Sequence, residues 1–499
     1  MQYDLLIKNG YVVDYASARE GYFDVAVQNG MIAAVESSIG GSAVQELDAS
    51  GKLVLPGLVD SHVHASAWLG GSYAHTMLVK AGVTSALDMS GPGTSVLELA
   101  REYGTGLNLA TIEYVRPGHT VSGDDPSSAE LHQLITKVQR QGSLGIKLLG
   151  GHYPLTVAAT ARAIRAAAEL GAYTAFHAGT AAHGSNIEGL LEAVELADGN
   201  PLHLAHINAY CRGTVLLEAE ETELALKALA ANPNISCESY LSPLNGTSAE
   251  IIDGLPGSMV TRRCLKTGGF TEDEAGMEAA LLSGWAHVNY PQGQEMTLLT
   301  GEAARDYWRG QQTLVSVSFA VNPVGPRVRL ATAKKADGSF AVDAVSTDGG
   351  GIPRNVLLPA GLALVDLGGL SLQELVAKIS YQPARLLGLA NKGSLTAGRD
   401  ADITIVDRLQ RSAFATIIGG GGCFMGGEGF SVGAAAGSLL LPHGRTMYAA
   451  RGWSRWSLTW LTAVCCRRRK KDDNKNKPPD RSCSQVVYLL DWGYFVWPP

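Results

Sequence analysis

Four times in the middle of the chain, a short apolar run is followed by an Ala- and Leu-rich stretch with helical spacing. VTSALDMS precedes SVLELAREYG, SLGIKLLGG precedes TVAATARAIRAAAELG, AYTAFHAG precedes IEGLLEAVELAD, and LHLAHINA precedes TELALKALAANP. Strands joined by helical crossovers run parallel, and helices bury both faces of the sheet. Eight such units closing into a (β/α)8 barrel need about 250 residues. The span 55–390 holds them and leaves room for an insertion, placed at 250–340, where the alternation is lost before DAVSTDGG.

The chain ends read differently. YDLLIKNG, YFDVAVQNG and MIAAVES are strand-like, and the first two end in Asn-Gly, a hairpin signal. Residues 1–54 are therefore expected to form part of a small antiparallel β unit. DADITIVD and FATIIGG, within 391–420, have the same character and are expected to return to that unit. The expected fold class is α/β: a central barrel with a small flanking β-sandwich built from both chain ends. Residues 421–499 break the pattern, with Trp, Cys and a basic run crowded together in WSRWSLTWLTAVCCRRRKK. This tail is read as irregular or disordered, or as the product of a shifted reading frame, and no function is assigned to it.

Composition narrows the function classes. A formal net charge of −7 gives no basic surface for nucleic acid. Seven scattered cysteines without a CxxC pair argue against a disulfide framework and for a reducing compartment. No apolar run is long enough to span a membrane, and MQYDLLIKNG lacks the layout of a signal peptide. The expected location is cytoplasmic, so the NGT sequon at Asn245 is read as chance.

LPGLVDSHVHAS (55–66) places two histidines after an apolar run. Residues i and i+2 of a strand share a side, so His62 and His64 project together from the C-terminal end of the first barrel strand. Barrel enzymes carry their chemistry at that end, and paired imidazoles suit a metal ion. Lys147 lies inside the apolar run GSLGIKLLGG. It is either a snorkelling lysine or one kept neutral and modified, for example as a carbamate. His177 in TAFHAGT, His206 in HLAHINAY and Asp348 in VSTDGGG also sit at strand ends. Any one could be a satisfied buried polar group, but six at successive strand ends point to a site.

These residues, in this order, resemble the binuclear-metal branch of the amidohydrolase superfamily, including dihydroorotases, hydantoinases and D-aminoacylase-type enzymes. KGSLTAGRDADITIVD (392–407) looks like that family's return to its small β domain. The resemblance spans about residues 1–420 and implies a TIM-like barrel holding two divalent ions, with zinc the expected metal. It implies His62 and His64 on the buried ion, His177 and His206 on the exposed one, and a carbamate on Lys147 bridging both. Asp348 would bind the buried ion and carry protons. The implied reaction is hydrolysis of a non-peptide carbon–nitrogen amide bond, in a cyclic amide or N-acyl amino acid, by a metal-bridging hydroxide. Asp348 and Lys147 are thus the expected catalytic residues.

His152 and Tyr153, beyond Lys147, and Asn208 and Arg212, beyond His206, are the candidate substrate-binding residues, with loop packing as the alternative for each. Arg212 suits a substrate carboxylate and His152 an oxyanion. Cys211 reads as a small buried residue, and His75, His119, His183 and His203 stay unassigned. The second strand, ending LDMSGPG, has no cysteine, unlike many N-acyl-D-amino-acid deacylases, which favours the dihydroorotase or hydantoinase type of site. Two other readings remain: a mononuclear ring deaminase, which has no need of Lys147, and a non-catalytic scaffold relative. The expected partner is a small-molecule substrate, with no nucleic acid and no membrane, and the resemblance implies a homo-oligomer.

Overall fold

The computed structural model describes residues 2–67, 69–425, 439–440 and 446–447; nearly all of the 421–499 tail lies outside them. The fold is mixed α/β. One parallel sheet runs from Gly349–Gly350 through Leu58–His64 and Val83–Asp88 to Asn108–Thr111, with the short strands Leu439–Leu440 and Thr446–Met447 beyond. A second runs from Glu113–Val115 through Gly145–Leu149, Tyr173–His177, Leu202–Leu204 and Ile235–Tyr240 to Ala344–Ser346. Only Ile112 separates the two sheets at one end, and only Thr347 and Asp348 at the other. The Asp348 N–H donates to the His62 carbonyl at 2.9 Å across the second of these junctions.

The alternation in the sequence is realised. Helices Gly93–Tyr103, Val157–Glu169, Ile187–Ala197 and Glu218–Ala231 each follow the strand expected to precede them. Thr156 and Asn186 cap two of these helices by accepting main-chain N–H bonds. Ile146, Leu148, Phe176 and Leu204 point outward and pack with Ala163, Ile164, Leu190 and Leu226 in one buried cluster. The alternate residues are thereby turned inward, where the polar side chains gather.

Both chain ends build one flanking sheet, ordered Gly421–Met425, Ser412–Ile418, Ile403–Asp407, Leu53–Pro56, Gln2–Asp14, Arg19–Gln28, Met31–Glu36, with Ser42–Asp48 also pairing with Gln2–Asp14. Two expectations need correction. The unit is not purely antiparallel, because Gln2–Asp14 pairs in parallel with both Ser42–Asp48 and Leu53–Pro56. Nor is Asn9-Gly10 a hairpin turn. The strand continues through it to Asp14 and its register shifts there, with Asn9 left-handed at φ 60°. A Cβ on Gly10 would lie 2.4 Å from Val54, so glycine serves close strand packing at a bulge. Asn29-Gly30 is the turn that its sequence suggests.

The stretch where the alternation fails is a separate layer. Asn245–Ser248, Ser316–Phe319, Ala286–Gln292 and Glu295–Leu299 form an antiparallel sheet in that order. It has its own core around Trp308, Phe319, Leu265 and Met277. No helix among the described residues is long and apolar enough to cross a membrane.

Candidate metal centre

His62, His64 and Asp348 converge, with one ligating atom from each lying within 4.8 Å of the others. Asp348 Oδ1 is 2.7 Å from His64 Nε2 and 3.3 Å from His62 Nε2. Lys147 Nζ lies 2.9 Å from the same His62 nitrogen. His177 Nδ1 and His206 Nε2 face each other at 2.9 Å, and the His206 ring stacks on the His62 ring with centroids 5.1 Å apart. All six sequence-identified residues therefore meet in one place.

Local structure fixes these positions. Asp348 and His206 both have left-handed backbones, at φ 51° and 78°, an arrangement costly for residues with a Cβ and concentrated at functional sites. Gly151 follows the Lys147 strand, and a Cβ there would come within 2.1 Å of His177 Nε2. Ser185 Oγ is 2.8 Å from His177 Nε2, and the Tyr210 hydroxyl is 3.3 Å from His206 Nδ1. Beneath the site, Asp60 accepts from the Thr347 hydroxyl at 2.6 Å and from the main-chain N–H groups of Thr347 and His62. Burial lifts its carboxyl to about 7. Asp88 ends the second strand where no cysteine was found. It accepts from the N–H groups of Ala65, Ser90 and Gly91 and so anchors the turn after His64.

The electrostatics suit cation binding. Burial pushes the imidazoles of His62 and His177 well below their usual range and that of His206 to about 3, so their lone pairs stay available. Burial also lowers the Lys147 amine to about 8, against the pull of Asp348 and Glu238. For Asp348, burial acts upward, but Arg354 and the two imidazoles outweigh it and hold the carboxyl well below the carboxylate range. His64 Nδ1 is buried with no hydrogen-bond partner. Neutral imidazoles, an ionised carboxylate and an orphaned nitrogen together make a donor set that fits divalent ions of the zinc class.

Three residues escaped the sequence reading. Arg354 NH2 pairs with Asp348 Oδ2 at 2.8 Å. Glu238 and His203, both buried, stand behind His62. Lys147 stands out in the sequence as a charge within an apolar strand; Glu238 carries no such signal, because its strand, ISCESY, mixes polar and apolar residues.

The four substrate candidates divide. His152 is exposed at the mouth, its ring 5.1 Å from that of His177, and Tyr153 stacks under the Arg116 guanidinium. Arg212 is held by Asn322, the Tyr240 hydroxyl and Asn245. The Asn208 amide donates to the Tyr240 carbonyl and accepts from the Tyr240 N–H. Asn245 is therefore packed against Arg212 and, at 3.8 Å, Cys264. Cys211 is buried, and burial raises its thiol to about 12.

Several known proteins resemble this chain. Residues 285–422 match the Amidohydrolase family. Over 440 residues, covering 81% of this chain and 89% of the other, the chain is 25% identical to a dihydroorotase of Trichlorobacter lovleyi. Over 94 residues it is 40% identical to an allantoinase of Salmonella paratyphi B, a match covering 18% of this chain and 20% of that one. Among solved structures, an N-acyl-D-glutamate deacylase from Bordetella bronchiseptica, complexed with zinc and a phosphonate inhibitor, superposes with a TM-score of 0.63 at 15% identity. That superposition covers 86% of this chain and 98% of that one.

Proposed function

Because the chain belongs to the binuclear branch of the amidohydrolase superfamily, hydrolases of carbon–nitrogen bonds other than peptide bonds, we propose that it hydrolyses a cyclic amide or an N-acyl amino acid at the site of Asp348 and Lys147. The observation carrying this reading is the convergence of His62, His64 and Asp348 beside Lys147, with His177 and His206 adjoining. The near-junctions of the two parallel sheets support an eight-stranded barrel, with the sheet of both chain ends as its flanking β-sandwich.

His62, His64 and Asp348 would hold one divalent ion of the zinc class, and His177 and His206 a second. Lys147, made a carbamate by addition of carbon dioxide to its amine, would serve both; lowered to about 8, it offers more of the neutral amine this requires than an ordinary lysine does. When bound, the ions supply Lewis acidity to the scissile carbonyl and acidify the attacking water. Asp348 takes the proton of that water on Oδ1 and returns it to the leaving nitrogen, leaving a carboxylate and an amine. Arg212, at the edge of the site, pairs with a substrate carboxylate, and His152 lies at the mouth to meet the developing oxyanion.

The test is metal content per chain after purification with bicarbonate and without chelator, followed by hydrolysis assays on hydantoins, dihydropyrimidines and N-acyl amino acids. The expected content is near two equivalents. Near one favours the mononuclear deaminase, and near none overturns the reading. Lys147→Ala should lose metal and activity together, and short carboxylic acids should restore both. Undiminished activity without added acid overturns the carbamate.

A further inference from the structure

We propose that Glu238 is a positioning residue that locks His62 in the one tautomer able to meet a cation in the site, an inference that rests on the metal-centre reading above. Glu238 lies fully buried in the strand Ile235–Tyr240, facing inward with Ser236. Its two oxygens serve two imidazoles. Oε1 lies 2.7 Å from His62 Nδ1, and Oε2 bonds His203 Nε2. His203 Nδ1 in turn lies 3.2 Å from Ser236 Oγ.

As a carboxylate Glu238 has no hydrogen to give, and both imidazoles then donate to it. His62 then carries its proton on Nδ1 and presents the Nε2 lone pair, the atom 2.9 Å from Lys147 Nζ and 3.3 Å from Asp348 Oδ1. His203 carries its proton on Nε2, which leaves Nδ1 to accept from the Ser236 hydroxyl. A glutamine at 238 breaks the pattern. It offers one acceptor and one NH2 group, so one ring must turn over its tautomer. When His62 is the ring that changes, its Nε2 carries a hydrogen and cannot ligate. Carboxylates behind metal-binding histidines typically contribute about 10–100-fold in metal affinity.

The test uses the full chain loaded with Zn2+ against a competing chelator, with the melting temperature of each metal-free variant recorded. Glu238→Gln should weaken one of two ions by about 10–100-fold. Glu113→Gln is the control, because Glu113 is another buried carboxylate and its bonds go to the main-chain N–H groups of Gly93 and Tyr114. It should leave both ions unchanged. His62→Ala should lose the ion that Glu238→Gln weakens. Wild-type affinity in Glu238→Gln alongside loss in His62→Ala overturns the role of Glu238 alone. Retention of both ions by His62→Ala overturns the metal centre itself. Equal weakening in Glu113→Gln reduces the effect to general loosening and also overturns the proposal. Should Glu238→Gln fail to fold, proton NMR of the metal-free wild type decides: a protected downfield His62 Nδ1–H signal, missing in His62→Ala, is expected, and its absence overturns the assignment.

Discussion

Arg354 grips Asp348 at two points. Its NH2 lies 2.8 Å from the Oδ2 oxygen, while its Nε donates to the Asp348 main-chain carbonyl. The carboxylate is thereby aimed with Oδ1 toward His62 and His64. A lysine keeps the charge but not the fork, so Arg354→Lys should lower kcat about tenfold or more. Arg354→Met also removes the charge that depresses the Asp348 carboxyl, so the acid limb of its pH–rate profile should move to higher pH. Profiles of kcat/KM for the two variants check this; an unmoved acid limb in Arg354→Met counts against Asp348 as the proton carrier.

Gly151 has no room for a side chain. Gly151→Ala should displace the His177 ring and release the ion assigned to His177 and His206, leaving the one at His62. Metal analysis should then fall from two equivalents toward one, with activity falling alongside it. Full occupancy in this variant would place His177 outside the centre.

Arg212→Met should raise KM for carboxylate-bearing substrates and leave neutral cyclic amides almost untouched. A charge-assisted hydrogen bond is worth about 1.5–3 kcal/mol, which corresponds to roughly 10–150-fold. Paired kinetics on a hydantoin and an N-acyl amino acid separate the two cases. Equal losses on both would assign Arg212 to scaffolding through Asn322, Tyr240 and Asn245.

Lys378 is buried, with its Nζ 2.5 Å from the Val342 carbonyl and over the Phe340 ring. Burial lowers it to about 8. An unfolded lysine titrates near ~10.4, so between these values the unfolded chain binds more protons, and stability rises with pH. Relative to Lys378→Met, the wild type should gain on the order of 3 kcal/mol as pH climbs across that window. Urea melts at intervals across it measure the slope; parallel curves for the two proteins would refute the assignment.

Much of the site was legible because each ligand candidate lies within or at the end of an apolar run, where a polar side chain stands out. His62, His64, Lys147, His177, His206 and Asp348 all announce themselves in this way. Glu238 did not, because ISCESY alternates polar and apolar residues and reads as an ordinary half-buried strand. Arg354 lies in an irregular loop six residues past Asp348, where sequence spacing implies nothing about contact. Asn9-Gly10 and Asn29-Gly30 carry the same letters, yet one is a bulge and the other a turn. The difference arises from Val54 crowding Gly10, a contact between distant segments. The layer built from Asn245–Ser248 and Ala286–Phe319 was visible only as lost alternation, since its strands are short and antiparallel.

The flanking sheet also sets a timetable for synthesis. Pro56 pairs with Ile403 and Val54 with Ile405, so one edge of the strand Leu53–Pro56 lacks its neighbour until almost the whole described chain has been made. At ~5–20 residues per second, that interval is roughly 20 to 70 s. Throughout it the Leu53–Pro56 edge, entirely apolar but for its main chain, is open to any other strand. A nascent chain of this protein is therefore a natural client for a holding chaperone at its amino terminus, and slower translation would lengthen that dependence.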